Sequence, residues 1–164
     1  MITQERLKEL FNYDPLVGLF IRKVSRPSCK KGSIAGTDNK GYVKICVDKK
    51  RFFAHRLAWM YMYGEWPRKE IDHLNHIKDD NRIINLRDVS RSDNARNFPL
   101  FLTNTSGYSG LYFNKKKKRW VVQLLQKVRK EFENKKEAII FCKKMKKELG
   151  FHKNHGIVCK FTAK

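Results

Sequence analysis

The chain has 164 residues, 41% hydrophobic and 12% aromatic, enough apolar material to bury a core and too much for a disordered polycation. Lys and Arg number 37 against 16 Asp and Glu, a formal charge of +21 that would hold the chain on a polyanion and makes nucleic acid the default partner. A membrane-surface protein would need an apolar or lipid anchor, and no run of about 18 apolar residues, signal peptide or lipidation motif is found, so the expectation is a soluble cytoplasmic protein with no membrane partner.

In chain order, Thr3 is placed to cap a short helix over residues 4–11, with Leu7, Leu10 and Phe11 on one face. Asn12-Tyr13-Asp14-Pro15 ends it, because Pro15 restricts the residue before it. Residues 18–21 suggest a short strand, and 22–40, polar and rich in Gly and Lys, a loop. A hairpin follows, strands 42–47 and 51–54 around a turn at Asp48-Lys49-Lys50, in which Cys46 reads as a small buried apolar residue. Residues 55–63 switch to helical period, with Ala58, Trp59 and Met62 near one face and Gly64 as the stop. After a turn at Trp66-Pro67, residues 71–74 form the first strand of a ββα unit; 75–82 are a polar loop, 83–89 hold the second strand, and Ser90 or Ser92 caps a helix through Asn97. Further on, strands over 107–113, 120–124 and 129–132 precede an amphipathic helix over 137–149, where Ala138, Phe141, Cys142, Met145 and Leu149 recur at helical spacing. The four cysteines, Cys29, Cys46, Cys142 and Cys159, form no C-x-x-C pair and receive no role. The tail 151–156, with two histidines near Cys159, lacks a second ligand pair and reads as a packing segment.

Three signals stand at fixed intervals in the middle of the chain. Asp72-His73 is followed twelve positions after His73 by Asn85, which precedes Leu86, and nine positions later by Asn94. Upstream lie Ala54-His55-Arg56-Leu57-Ala58-Trp59 and Tyr63-Gly64-Glu65-Trp66-Pro67. A lone Asp-His carries no weight; the set resembles the HNH (His-Me finger) nuclease motif, in the phage homing-endonuclease branch where asparagine replaces the last histidine. The resemblance implies phosphodiester hydrolysis leaving 5′-phosphate and 3′-hydroxyl ends. It makes His73 the general base that activates water, Asp72 and Asn94 the ligands of one metal ion, and Asn85 the residue that orients His73 or its backbone. Those residue types suit the task. A near-neutral imidazole can take a proton from water, and a hard cation on oxygen ligands neutralises charge at the leaving group. Oxygen donors favour Mg²⁺ or Mn²⁺ over Zn²⁺. His76 ranks second as base, Asp79 and Asp80 read as loop residues, and Asn97 as an auxiliary ligand. Arg56 reads equally as a phosphate contact or a surface arginine. Arg82 and Arg87 either hold the cleaved strand or pair with the nearby aspartates, with contact to DNA favoured.

Charge supports grips on either side of this core. Residues 1–67 carry 13 Lys and Arg against 6 Asp and Glu, residues 68–100 carry 7 against 6, and residues 101–164 carry 17 against 4. Lysine-rich codon usage accounts for part of the excess. Residues 104–150 contain Ser106-Gly107-Tyr108-Ser109-Gly110, a Lys-rich turn before Arg119-Trp120 and the Glu137-Ala138 helix. They resemble the AP2/ERF-type DNA-binding domain found downstream of HNH motifs in phage endonucleases. That resemblance implies a three-stranded sheet in the major groove, with Tyr108, Tyr112, Lys115, Lys117, Arg119, Trp120, Gln123 and Arg129 as contacts; Trp120 reads equally as core.

The expected architecture is α+β: an N-terminal αβ segment (1–53), a central ββα-metal nuclease core (54–100) and an AP2-like three-strand-plus-helix module with tail (101–164). The expected activity is Mg²⁺- or Mn²⁺-dependent cleavage of double-stranded DNA by a site-selective homing-type endonuclease or nickase, encoded by a phage or mobile element. No small-molecule cofactor is expected. A monomer is expected, with a dimer required for concerted double-strand cutting. Two classes compete. One is a DNA-binding regulator with a dead core, which the intact Asp72, His73, Asn85 and Asn94 oppose. The other is an RNA-directed nuclease, which the +21 charge serves equally.

Overall fold

Thr3 opens the first helix in the computed structural model, which describes residues 2–157: its hydroxyl accepts the Arg6 amide at 3.2 Å, and α1 runs over Gln4–Leu10. The chain then passes straight into β1 (Phe11–Asp14), antiparallel to β2 (Leu19–Arg22), with Tyr13 opposite Phe20. The segment expected only to end the helix is thus partly a strand. Its stop chemistry works one step later, where Asp14 Oδ1 accepts the Leu16 and Val17 amides at 2.9 and 3.2 Å and Gly18 closes the turn at φ +80°.

A second sheet is formed by β3 (Thr37–Asn39), β4 (Tyr42–Val47) and β5 (Lys50–Phe53), in that order. Asp48 and Lys49 both adopt positive φ, the conformation a two-residue hairpin turn requires. Ile45 and Val47 face inward, which sets the phase of β4 and leaves Cys46 exposed, a correction to its reading as buried. Helix α2 (Ala54–Tyr63) begins without a break after β5 and ends on Gly64 at φ +75°. It buries Ala54, His55, Leu57, Ala58 and Met60, so its apolar stripe is rotated from the one expected and Met62 is exposed. The strands β6 (Glu70–His73) and β7 (Leu86–Val89) pair antiparallel, a single 3₁₀ turn over Ile83–Asn85 leading into the second, and the short α3 covers Arg91–Ala95.

The described residues divide into two compact units, which part between Arg91 and Ser92. In the first, Leu7, Phe11, Phe20, Ile45, Val47, Leu57, Ala58 and Leu86 belong to one buried cluster. The expected boundary at 53/54 therefore does not separate two cores. The β6–β7 hairpin is too small to bury its own apolar face and borrows the N-terminal elements to do so.

In the second unit β8 (Leu111–Asn114), β9 (Arg119–Leu124) and β10 (Val128–Phe132) form a sheet in the order β10-β9-β8. Helix α4 (Lys135–Glu148) packs on it around Leu111, Val122, Leu124, Ala138 and Cys142. It starts two residues before the expected point because Asn134 is its cap, accepting the Lys136 amide at 2.7 Å. The tail does pack: His152 and Gly156 donate backbone hydrogen bonds to the Arg96 and Phe98 carbonyls at 3.1 and 2.9 Å. Cys159 lies outside the described residues. Among those residues no helix is long and apolar enough to cross a membrane.

Candidate active site

β6 ends at His73, and that ending shapes the site. On a continuing strand Asp72 and His73 would face opposite sides. Here the chain turns away at once, with the His76 amide donating to the His73 carbonyl at 3.0 Å and His76 at φ +64°, and Asp72 and His73 are both buried. Two amides fix the entry to the strand, Arg68 and Lys69 donating to the Asp88 carboxylate at 2.8 and 2.9 Å.

The loop after His73 is tied down by Asn85. Its Nδ2 donates to Asn75 Oδ1 and to the Asp80 carbonyl, both at 2.9 Å, and its Oδ1 accepts the Asn75 amide at 3.1 Å. Its backbone carbonyl takes the Leu74 amide at 2.9 Å. Asn85 thus holds the backbone beside His73 and the loop that follows. From the first hairpin, Tyr13 Oη donates to the Asn81 carbonyl at 2.6 Å, and the Ile83 amide reaches the Pro15 carbonyl at 3.3 Å.

Around the His73 ring stands an aromatic box drawn from β4, β5 and α2. His55 meets it edge-on, centroids 5.1 Å apart at 90°, and Tyr42 lies 6.0 Å away. His55 stacks in turn on Phe53 at 5.3 Å and 12°. Burial pushes the His73 imidazole below its ordinary value, while Asn81 and the carboxylates of Asp72, Asp80 and Asp79 pull it part of the way back. Burial drives His55 further, to about 3, helped by His73 and Arg56. Burial, and then Asp72, raise the Tyr42 hydroxyl. Both imidazoles are thereby favoured in the neutral form, the form a general base needs.

The arginines are placed differently from the favoured expectation. Arg87, opposite Asp72 in the register, puts Nε and Nη2 on Asp72 Oδ2 at 2.8 and 2.6 Å. Arg82 forks onto both oxygens of Asp80 at 2.8 and 2.6 Å. Both pair with aspartates, because two buried or half-buried carboxylates beside a histidine require counter-charge. Asp80 is consequently more than a loop solvator: burial raises its carboxyl, and the hydrogen bonds from Arg82 and Asn75 more than reverse this, holding it low. Arg56, half exposed, reaches the Lys69 carbonyl at 3.4 Å. Asn94 lies on α3, half-buried, and Asn97 is buried just beyond it. His55 stood in the motif's upstream block; Tyr42 and Phe53 carried no signal, since only the fold brings Tyr42 to His73 and Phe53 to the rings of Tyr42 and His55.

In the second unit Val122 and Leu124 face α4, so their neighbours on β9 face away. That open face carries the exposed Tyr112, Arg119, Gln123 and Arg129 around a buried Val121, with Lys115 and Lys117 exposed in the adjoining turn. Lys117 pairs with Glu131 at 2.8 Å and Arg119 with Glu133 at 2.7 Å. Trp120 and Tyr108 are not on the open face. They pack with the α4 cluster, Trp120 against Phe113 at 5.1 Å and beneath the Lys135 ammonium at 4.9 Å, which is the core alternative for Trp120 and sets Tyr108 apart from the other expected contacts.

Residues 52–96 match the HNH endonuclease family, a span that encloses α2, the β6–β7 hairpin, Asp72, His73, Asn85 and Asn94. Comparisons with curated proteins and with solved structures give no significant match. HNH nucleases act on nucleic acid and generally use divalent metal ions. This match makes the chain a nuclease that hydrolyses phosphodiester bonds.

Proposed function

We propose that the chain is a site-selective DNA endonuclease of the homing type that nicks one strand per encounter, using Mg²⁺ or Mn²⁺. In this reading His73 activates water and Asp72 holds one ion. The observation that carries it is the buried imidazole, favoured in its neutral form, standing beside a buried carboxylate at the end of β6.

The donor chemistry suits a hard cation. Among the described residues no group of three or more His, Cys, Asp or Glu could hold a metal, so a closed zinc-type cage is not offered. A single carboxylate whose ion completes its shell with water and substrate phosphate is the pattern of Mg²⁺ sites. Asn94 as a second oxygen ligand rests on the motif spacing. The bound ion would supply charge neutralisation at the scissile phosphate and at the departing oxygen. Arg87 neutralises the buried Asp72 carboxylate through Oδ2, and an ion bound there would share the carboxylate with it. His73, favoured as the free base, accepts the proton of the attacking water at a ring nitrogen. Asn85, acting through Asn75 and the Leu74 backbone, keeps the strand end in place while this happens.

The second unit serves in this reading as an AP2-like grip, its open face of Tyr112, Arg119, Gln123 and Arg129 laid on duplex DNA and its lysines on phosphates. The test is His73→Ala with supercoiled plasmid and Mg²⁺, alongside a labelled RNA. Loss of cleavage with duplex binding retained within a few-fold is expected. Undiminished cutting removes His73 from the mechanism, and preferential cutting of the RNA replaces the substrate.

A further inference from the structure

We propose that Lys78 is a substrate-phosphate contact of the His73 site, held ready by Tyr42. This rests on reading His73 as the base. The two arginines that follow His73 most closely in the chain are already committed, Arg87 to Asp72 and Arg82 to Asp80. Withdrawing either would take the counter-charge from a carboxylate that is 8% or 13% exposed, a cost that favours leaving both pairs intact when substrate arrives.

Lys78 is situated otherwise. It is exposed, and among the described residues it pairs with no carboxylate. Its ammonium sits over the Tyr42 ring, 4.9 Å from the centroid. Its stem runs past Gly41, where an added Cβ would stand 3.6 Å from Lys78 Cδ. The perch is itself braced. Lys40 and Gly41 take positive φ in the tight turn between β3 and β4, the Gly41 amide donates to Asp38 Oδ1 at 3.1 Å, and Tyr42 touches the rings of Phe53, His55 and His73.

Placed end to end, the Lys78–Tyr42 and Tyr42–His73 separations of 4.9 and 6.0 Å keep the ammonium within about 11 Å of the imidazole, the scale of neighbouring phosphates on one strand. A ring under one side of an ammonium leaves its remaining protons for an anion. A lysine already settled on a ring also loses less rotamer freedom on binding than one extended into water. The ligand this fits is the non-bridging oxygen of a backbone phosphate, independent of base sequence.

Lys78→Met keeps the stem and removes the charge; Lys78→Arg keeps the charge and the ring contact. Two quantities are measured: kcat/KM for plasmid nicking in Mg²⁺, and the dependence of Kd on salt for a short duplex in EDTA. Lys78→Met should lower kcat/KM about ten- to a hundredfold and reduce the slope of log Kd on log salt by about one. Lys78→Arg should stay within about threefold of the parent. A Lys78→Met variant with parental rate and slope, or an Arg variant as impaired as the Met variant, overturns the proposal. His73→Ala is run in parallel: if it is inactive while Lys78→Met is unaffected, only the Lys78 contact fails, whereas a fully active His73→Ala removes the reading beneath it.

Discussion

His55 shows how much of the site's chemistry is set by burial rather than by ligands. It lies on the first turn of α2, 7% exposed, with Nδ1 buried and without a hydrogen-bond partner among the described residues, and its imidazole is held at about 3. The unfolded chain titrates this group near its ordinary value of 6.5, so between that pH and about 3 the unfolded state takes up a proton that the folded state refuses. Its contribution is therefore full above 6.5 and is lost progressively as pH falls through the window, by up to tenfold in the folding equilibrium per pH unit. His73, displaced in the same direction, adds to the slope. Urea denaturation at pH 7.5 and 5 should show the folded chain losing stability at the lower pH, with the loss reduced in His55→Met. An equal pH dependence in parent and variant would mean that His55 is not neutral in the folded state.

Among the elements, the β1–β2 hairpin connects a turn far back in the sequence to the loop that follows His73. Gly18 is required there twice: its φ is +80°, and a Cβ would come within 2.5 Å of the Arg82 amide nitrogen. Gly18→Ala should destabilise the first unit by about 2–4 kcal/mol, combining backbone strain with displacement of the Arg82 segment. An unchanged thermal midpoint would mean that the turn does not press on that loop. This link could not be seen in the sequence, whereas the elements on either side of it could. Helix α1 was legible from Thr3, α2 from its period and Gly64, and the motif hairpin from the spacing of Asp72, Asn85 and Asn94. β1 was missed because Pro15 reads as a stop, and its pairing with β2 depends on a partner across the turn. The site divides in the same way. Local motif residues were found, but the partners of Arg82 and Arg87, the Tyr42 and Phe53 rings, and the side of the sheet that Trp120 occupies depend on register and on contacts between elements, which composition and spacing do not encode.

For the molecule as a whole, the charge distribution and the single motif bear on what it leaves behind. Residues 101–164 hold 17 Lys and Arg against 4 Asp and Glu, so they are expected to supply most of the sequence-independent affinity for a polyanion, which should fall steeply with salt. The match to HNH endonucleases lies at residues 52–96. One hydrolytic centre breaks one phosphodiester bond at a time, and the strands of a duplex run in opposite directions, so a bound chain cannot present the same site to both strands without being released and turned round. Strong phosphate binding slows that release. A single chain per DNA site therefore predicts that supercoiled plasmid is converted first to open circle, with linear product appearing only after open circle has accumulated, and that raising protein concentration speeds both steps in proportion. Linear product formed from supercoiled DNA without an open-circle phase, with a rate rising as the square of protein concentration, would instead require two chains acting together on opposite strands.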